Sequence, residues 1–218
     1  PISEHDLSYM AHVEVGTAVE KMRSVGIPVE EFRGGVKGRE SLMLKLLARA
    51  DTLAAQIFDK VRYRVVVPER EHIVPAVHYL TDHLIPFNYV IPGQSQNDLV
   101  EFPRDVEPDS VTTWPQTTRP TNYFSGPTYS HLDFVVDLPL RLDEVKSGLM
   151  DEHLKELGPI VFAMVEFQIL DRKTVLANES GDNAHDRYKE RQRDTVLVRL
   201  EAVSVKNSPL PEGDGHEG

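Results

Sequence analysis

The chain has 218 residues, 40% hydrophobic and 27% charged, with no cysteine and a formal net charge of −11. That is enough chain for one domain of ordinary size with a real core. The composition excludes disulfides and thiolate metal sites, and its acidity disfavours broad contact with nucleic acid. No apolar run approaches 18 residues, so no membrane span is expected. The opening PISEHDLSYM predicts no secretion signal, and the lack of cysteine fits a cytoplasmic location.

In chain order, residues 6–24 place Leu7, Met10, Val13, Ala18 and Met22 at helical spacing, and predict a helix ending near Gly26 and Pro28. GRESLMLKLLARA predicts a second helix. AAQIFDKVRYRVVV is β-rich and predicts a strand over about 56–67, stopped by Pro68. REHIVPAVHYLTDHL predicts a helix with an internal Pro75, and FNYVIPG a short strand. Residues 93–127, rich in Pro, Ser, Thr, Asn and Gly, predict a long loop that holds Trp114. HLDFVVDL predicts a third strand, with His131, Asp133 and Val135 on one face and Leu132, Phe134 and Val136 on the other. IVFAMVEFQIL predicts a fourth, nearly all apolar and therefore central. NESGDNAHDRYKERQRD, residues 178–194, predicts a helix, and TVLVRLEAV a further helical or β segment. The tail over 206–218 is expected to be disordered. The order of elements predicts one α+β (mixed α/β) domain over 1–205.

Charge is unevenly spread. Between Arg33 and Arg64 stand eight basic residues against three acids, a local +5 in a chain of −11. Such a cluster suits a small polyanion such as a nucleotide, or is a Lys/Arg-rich solvated face. Within it Lys37, Ser41 and Lys45 recur at i, i+4, one stripe of a helix, which suits a triphosphate or again a solvated face. Two carboxylates interrupt apolar strands: Asp59 after Phe58, and Glu166 inside the most apolar segment. A carboxylate there is costly to bury unless it binds a metal or is paired in a salt bridge. Gln168 shares Glu166's face of the pleat. In the helix after them, His185, Tyr188 and Lys189 share one face.

Five of these stretches, in order over about residues 33–190, resemble the synthetase domain of the RelA/SpoT-type alarmone synthetases. VKGRESLMLK is similar to that family's R-x-K…S-x-x-x-K helix, and DKVRYRVVV to its D-x-x-[GA]-x-R strand. EFQILD is similar to E-[VIL]-Q-I-R-T. NESGDNAHDRYK is similar to A-E-x-G-x-A-x-H-x-x-Y-K, at Glu179, Gly181, Ala184, His185, Tyr188 and Lys189. SGPTYSHLDFVV stands where the family has G-Y-x-S-x-H.

The resemblance implies a nucleotidyltransferase-like fold, a mixed β-sheet flanked by helices, in a stand-alone synthetase-like protein. It implies transfer of the β,γ-pyrophosphate of ATP to the 3′-hydroxyl of a guanosine nucleotide. Asp59 and Glu166 would meet in space, hold Mg2+ and serve catalysis. Lys37, Ser41, Lys45, Arg39 and Arg64 would bind ATP. Tyr129, His131, Gln168, His185, Tyr188 and Lys189 would serve the acceptor. Separately, the short connection after Glu166's strand predicts that the helix folds back, with His185, Tyr188 and Lys189 facing the sheet edge that carries Glu166. Departures gather on the acceptor side: Asp133 and Thr128 replace a histidine and a glycine, and Leu170 an arginine. Gly35 replaces an arginine, and Arg62 fills a small-residue position. The alternatives are a different acceptor (an adenosine nucleotide or the 3′ end of tRNA, otherwise no nucleic acid) or a nucleotide-binding regulatory protein without chemistry. A homo-oligomer is allowed but not specified.

Overall fold

The structure, a computed structural model, describes residues 2–48, 60–101, 125, 126, 128–142, 159–180 and 185–206. Asp59, Trp114, Gly181, Ala184, most of the expected long loop and the expected tail from 207 lie outside these residues.

Helix α1 (Glu4–Ser24) starts at a reciprocal cap in which Asp6 N donates to Ser3 Oγ and Ser3 N donates to Asp6 Oδ2. Strand β1 (Glu31–Val36) and helix α2 (Arg39–Ala48) follow. Then come β2 (Val61–Val67), α3 (Ile73–His83) and β3 (Val90–Asn97). The last elements are β4 (Leu132–Arg141), β5 (Ile160–Asp171), α4 (Arg172–Asn178) and α5 (His185–Lys206). The five strands form one sheet in the order β1-β2-β5-β4-β3. The β2–β5 pair is parallel and the other pairs are antiparallel. The apolar β5 is the middle strand, as its composition predicts. Among the described residues no helix is long and apolar enough to cross a membrane.

Period-2 alternation gives the sheet two different faces. One carries Tyr63, Val65, Phe134, Val136, Val165, Phe167 and Ile169, all buried with Ala11, Val15, Val19 and Met22 of α1 and Ile73, Val77 and Leu80 of α3. The opposite face carries Arg62, Arg64, Asp133, Glu166 and Gln168, brought level by register: Arg62 opposite Glu166, and Arg64 opposite Gln168, which in turn faces Asp133.

Several expectations are corrected. Strand β1, EFRGGV, is not foreseen, because two glycines argue against a strand. Tyr63 explains it. The Tyr63 ring lies over Gly34, its cross-strand partner, and stacks 5.9 Å from Phe32 and 6.0 Å from His12. Burial pushes the Tyr63 phenol well above its ordinary pKa. Pro75 is not internal: α3 begins at Ile73, so Pro75 falls in its first turn, where a missing N–H is tolerated. Strand β3 runs into the expected loop as far as Asn97, past an irregularity in pairing that holds Gly93 at φ +74°. The helix expected over 178–194 is α5, which begins at His185, and the short α4 before it is not foreseen. TVLVRLEAV continues α5 as helix, with Val196 buried against Ala48 of α2.

Helix α4 begins directly at the end of β5 because Asp171 caps it. The carboxylate accepts from Thr174 N at 2.9 Å and from Thr174 Oγ1 at 2.6 Å, with Arg70 Nε 3.5 Å away. Burial opposes its ionisation, but the Thr174 hydrogen bonds and the Arg70 charge outweigh that and hold its pKa below the ordinary value.

Two stability predictions follow from this packing. In Gly34→Ala, the new Cβ meets the Tyr63 ring and comes within 3.0 Å of His12 Nδ1. Losing backbone entropy from the unfolded chain would favour alanine by roughly 0.4–1 kcal/mol. Overpacking against a ring held on three sides costs about 1–3 kcal/mol, so urea melts should show a net loss. Asp171→Ala should cost about 1 kcal/mol at neutral pH. Because the folded pKa is lowered, that contribution is present above the unfolded value of about 3.9 and fades as pH falls through the lower folded value. The two chains' stabilities should therefore converge in acid, and a pH series of melts reads this out.

Candidate functional site

The polar face of the sheet is built around β5. Glu166 and Gln168 are each only 2% exposed, so both need partners. The neighbouring parallel strand provides them. Arg62 Nε lies 2.5 Å from Glu166 Oε2, and Arg64 Nε donates to Gln168 Oε1 at 2.9 Å. Gln168 Nε2 donates onward to the Tyr129 hydroxyl at 3.3 Å. Arg64 also reaches Glu179, just past α4, with NH1 3.8 Å from Oε1.

The approach to β4 completes this face. Asn178, the last residue of α4, grips the backbone of Ser130 from both sides: its Oδ1 accepts from Ser130 N at 3.2 Å and its Nδ2 donates to Ser130 O at 2.7 Å. This fixes Tyr129 and His131 on either side of Ser130, with ring centres 5.1 Å apart. His131 is buried between two carboxylates, with Nε2 3.4 Å from Asp133 Oδ2 and Nδ1 3.5 Å from Asp98 Oδ2. Asp98 also accepts from Gln96 Nε2 at 2.8 Å. Arg64, Glu166, Gln168, Tyr129 and His131, all expected in the site, thus share one surface.

A second cluster joins α2 and α5. Lys189 Nζ donates to Ser41 Oγ at 3.1 Å. Tyr188 packs with Leu44, Ala48 and Val196, and its hydroxyl accepts from Gln192 Nε2 at 3.0 Å. Arg199 NH1 caps the Leu47 carbonyl at 2.6 Å. Tyr188 and Lys189 are thus half-buried, with α2 among what covers them. His185 opens α5, and Arg39 is exposed at the start of α2. Lys37 is not on the helical stripe. Its backbone N donates to Lys60 O at 2.7 Å as an extension of the β1–β2 ladder, and Gly38 O accepts the first bond of α2. Ser41 and Lys45 do lie one turn apart on α2.

Asp98, Arg62, Asp133 and Glu179 are partners on this face that were not among the expected site residues. Arg62 had a signal, since it shares the two-residue alternation that puts Arg64 on this face. Asp98 had none, because it lies in a stretch read as loop. Asp59, the expected metal partner of Glu166, lies outside the described residues. Among the described residues no three His, Asp or Glu side chains group to hold a metal ion. Glu166 already gives Oε2 to a guanidinium. Mg2+ requires near-octahedral oxygen ligands, and the described donors as arranged do not fit it.

No family model matches the chain, and no curated protein matches it. Solved structures do. Small alarmone synthetase 1 from Bacillus subtilis is 14% identical, with a TM-score of 0.51 over 91% of this chain and 91% of that one. Small alarmone synthetase 2 from the same organism is 15% identical, with a TM-score of 0.51 over 94% of this chain and 97% of that one. At such identity the likeness is one of architecture, and it agrees with the five-stranded mixed sheet and its flanking helices. The chain has the fold of the small alarmone synthetases.

Proposed function

We propose that this chain is a cytoplasmic pyrophosphokinase that moves the β,γ-pyrophosphate of ATP to the 3′-hydroxyl of a guanosine nucleotide on the polar face of its sheet. The observation that carries this reading is the convergence of Arg62, Arg64, Glu166, Gln168, Tyr129 and His131 on that face in this fold. The acceptor 3′-oxygen attacks the β-phosphorus, the bond from that phosphorus to the α,β-bridging oxygen breaks, and AMP leaves. The 3′-hydroxyl proton passes to Glu166, directly or through water. Arg64, Lys37 and Lys45 supply positive charge to the phosphates, where such transfer gains most from electrostatic stabilisation. Ser41 adds a hydroxyl to the ATP side, and Arg39 or Arg64 stacks on adenine. Tyr129 offers a ring for the acceptor base, and Gln168 and His131 offer polar groups for its ribose. Magnesium is proposed as the companion of the ATP phosphates rather than as a ligand of the arginine-bound carboxylate.

A second reading is favoured by the same Arg62–Glu166 pair, since a carboxylate already neutralised is poorly placed as a base. Under it the chain binds nucleotides and does no transfer. One assay separates the two: γ-labelled ATP incubated with GDP, GTP, AMP, ADP, ATP or tRNA, resolved by chromatography. Label on GDP or GTP is the expected result. Label on an adenosine nucleotide or tRNA would replace the guanosine acceptor, and ATP binding with no labelled acceptor would establish the second reading.

In the active case, Glu166→Gln should lower transfer by at least ~100-fold, the usual yield of a general base, while calorimetry still detects ATP binding. Lys37→Ala and Lys45→Ala should each weaken ATP by roughly tenfold, as expected for loss of a charge-assisted contact of about 1.4 kcal/mol. Undiminished ATP affinity in both would remove these lysines from the phosphate site.

A further inference from the structure

We propose that Arg62 is the resident counter-cation of Glu166 and keeps a divalent metal ion off that carboxylate. The inference rests on the reading of this face as a nucleotide site, and assigns to the site a cation fixed in the chain where the resemblance implies a metal ligand.

Arg62 and Glu166 are register partners on adjacent parallel strands, so their backbones hold the two side chains level. Glu166 is 2% exposed and ends at a guanidinium. A carboxylate so placed requires one positive partner, and a single partner satisfies its charge. A metal ion would have to displace the guanidinium or bind beside it, against its repulsion. Arg62 is 38% exposed in its side chain and has a long stem on which to move. The alternation of β2 puts an arginine here because position 62 faces the same way as position 64. The residue type at one strand position therefore decides what occupies the most buried carboxylate of the polar face.

The test needs no nucleotide. Metal-free protein is melted with and without millimolar Mn2+, as native chain, Arg62→Gln, Glu166→Gln and the double variant. The native midpoint should not respond to Mn2+. Arg62→Gln, which leaves Glu166 without its cation, should melt below the native chain and recover several degrees with Mn2+, as a ligand bound only by the folded state requires. Adding Glu166→Gln should abolish that recovery. A native Mn2+ response that Glu166→Gln removes would overturn the proposal, as would an Arg62→Gln chain that gains nothing from the metal. If Arg62→Gln fails to fold, the native chain and Glu166→Gln still decide by the presence or absence of that response. A chain that transfers no pyrophosphate would give the same midpoints, so the two readings fail separately.

Discussion

A carboxylate in the middle of the central strand must find a positive partner, and the Arg62–Glu166 pair is how this chain meets that demand. Breaking such a pair by removing one member costs roughly 3–5 kcal/mol, whereas an apolar replacement of both is often neutral. The pair therefore adds little net stability but a steep penalty for misalignment. A slip of one residue between β2 and β5 would turn Arg62 and Arg64 to the core face, leaving Glu166 unpaired and Gln168 unsatisfied. Parallel register, and with it the level row of polar groups across the sheet, depends on this constraint.

The core face makes that constraint tolerable. Tyr63, Phe167 and Phe134 follow one another across three strands, with successive ring centres 5.9 and 5.6 Å apart. Helices α1 and α3 cover them, and the stabilising burial is concentrated there. Arg62 and Tyr63 are chain neighbours on opposite sides of one strand, so the residue that fixes the polar register is anchored by the ring that fixes the apolar one. Gly34 is part of the same device, since the edge strand can close on Tyr63 only where it has no side chain.

Much of this was legible in the sequence. Alternation in HLDFVVDL separates His131 and Asp133 from Leu132, Phe134 and Val136, and the structure puts the two sets on opposite faces. The near-continuous apolar run around Glu166 marks the middle strand. What was hidden depended on tertiary partners. EFRGGV becomes a strand only because Tyr63 fills the space above its glycine. Asp171 ends β5 and starts α4 by capping, which adds a short helix over a stretch where periodicity suggests none. Asp98 joins His131 through a contact between positions 33 apart in sequence, and no local pattern announces such a meeting. The Glu166 alternatives were a functional carboxylate and a salt bridge, and the structure shows the ion pair without making the two roles exclusive.

The two polar clusters differ in how they are held, and this bears on what each can do. Around Glu166 and Gln168 the groups are buried and positioned by strand register, so they change little without disturbing the sheet. Around Ser41 and Lys189 they stand on two helices joined by a small apolar contact of Leu44, Ala48, Tyr188 and Val196. A nucleotide whose phosphates touched α2 and whose reacting end lay on the sheet would bridge the two clusters. Binding energy from the phosphates would then set the distance between them, which is how remote contacts serve a reacting centre. The Lys189–Ser41 contact and the packing of Tyr188 against Leu44 and Ala48 tie α5 to α2, so these two side chains of α5 are held with Ser41 rather than with the buried row on the sheet.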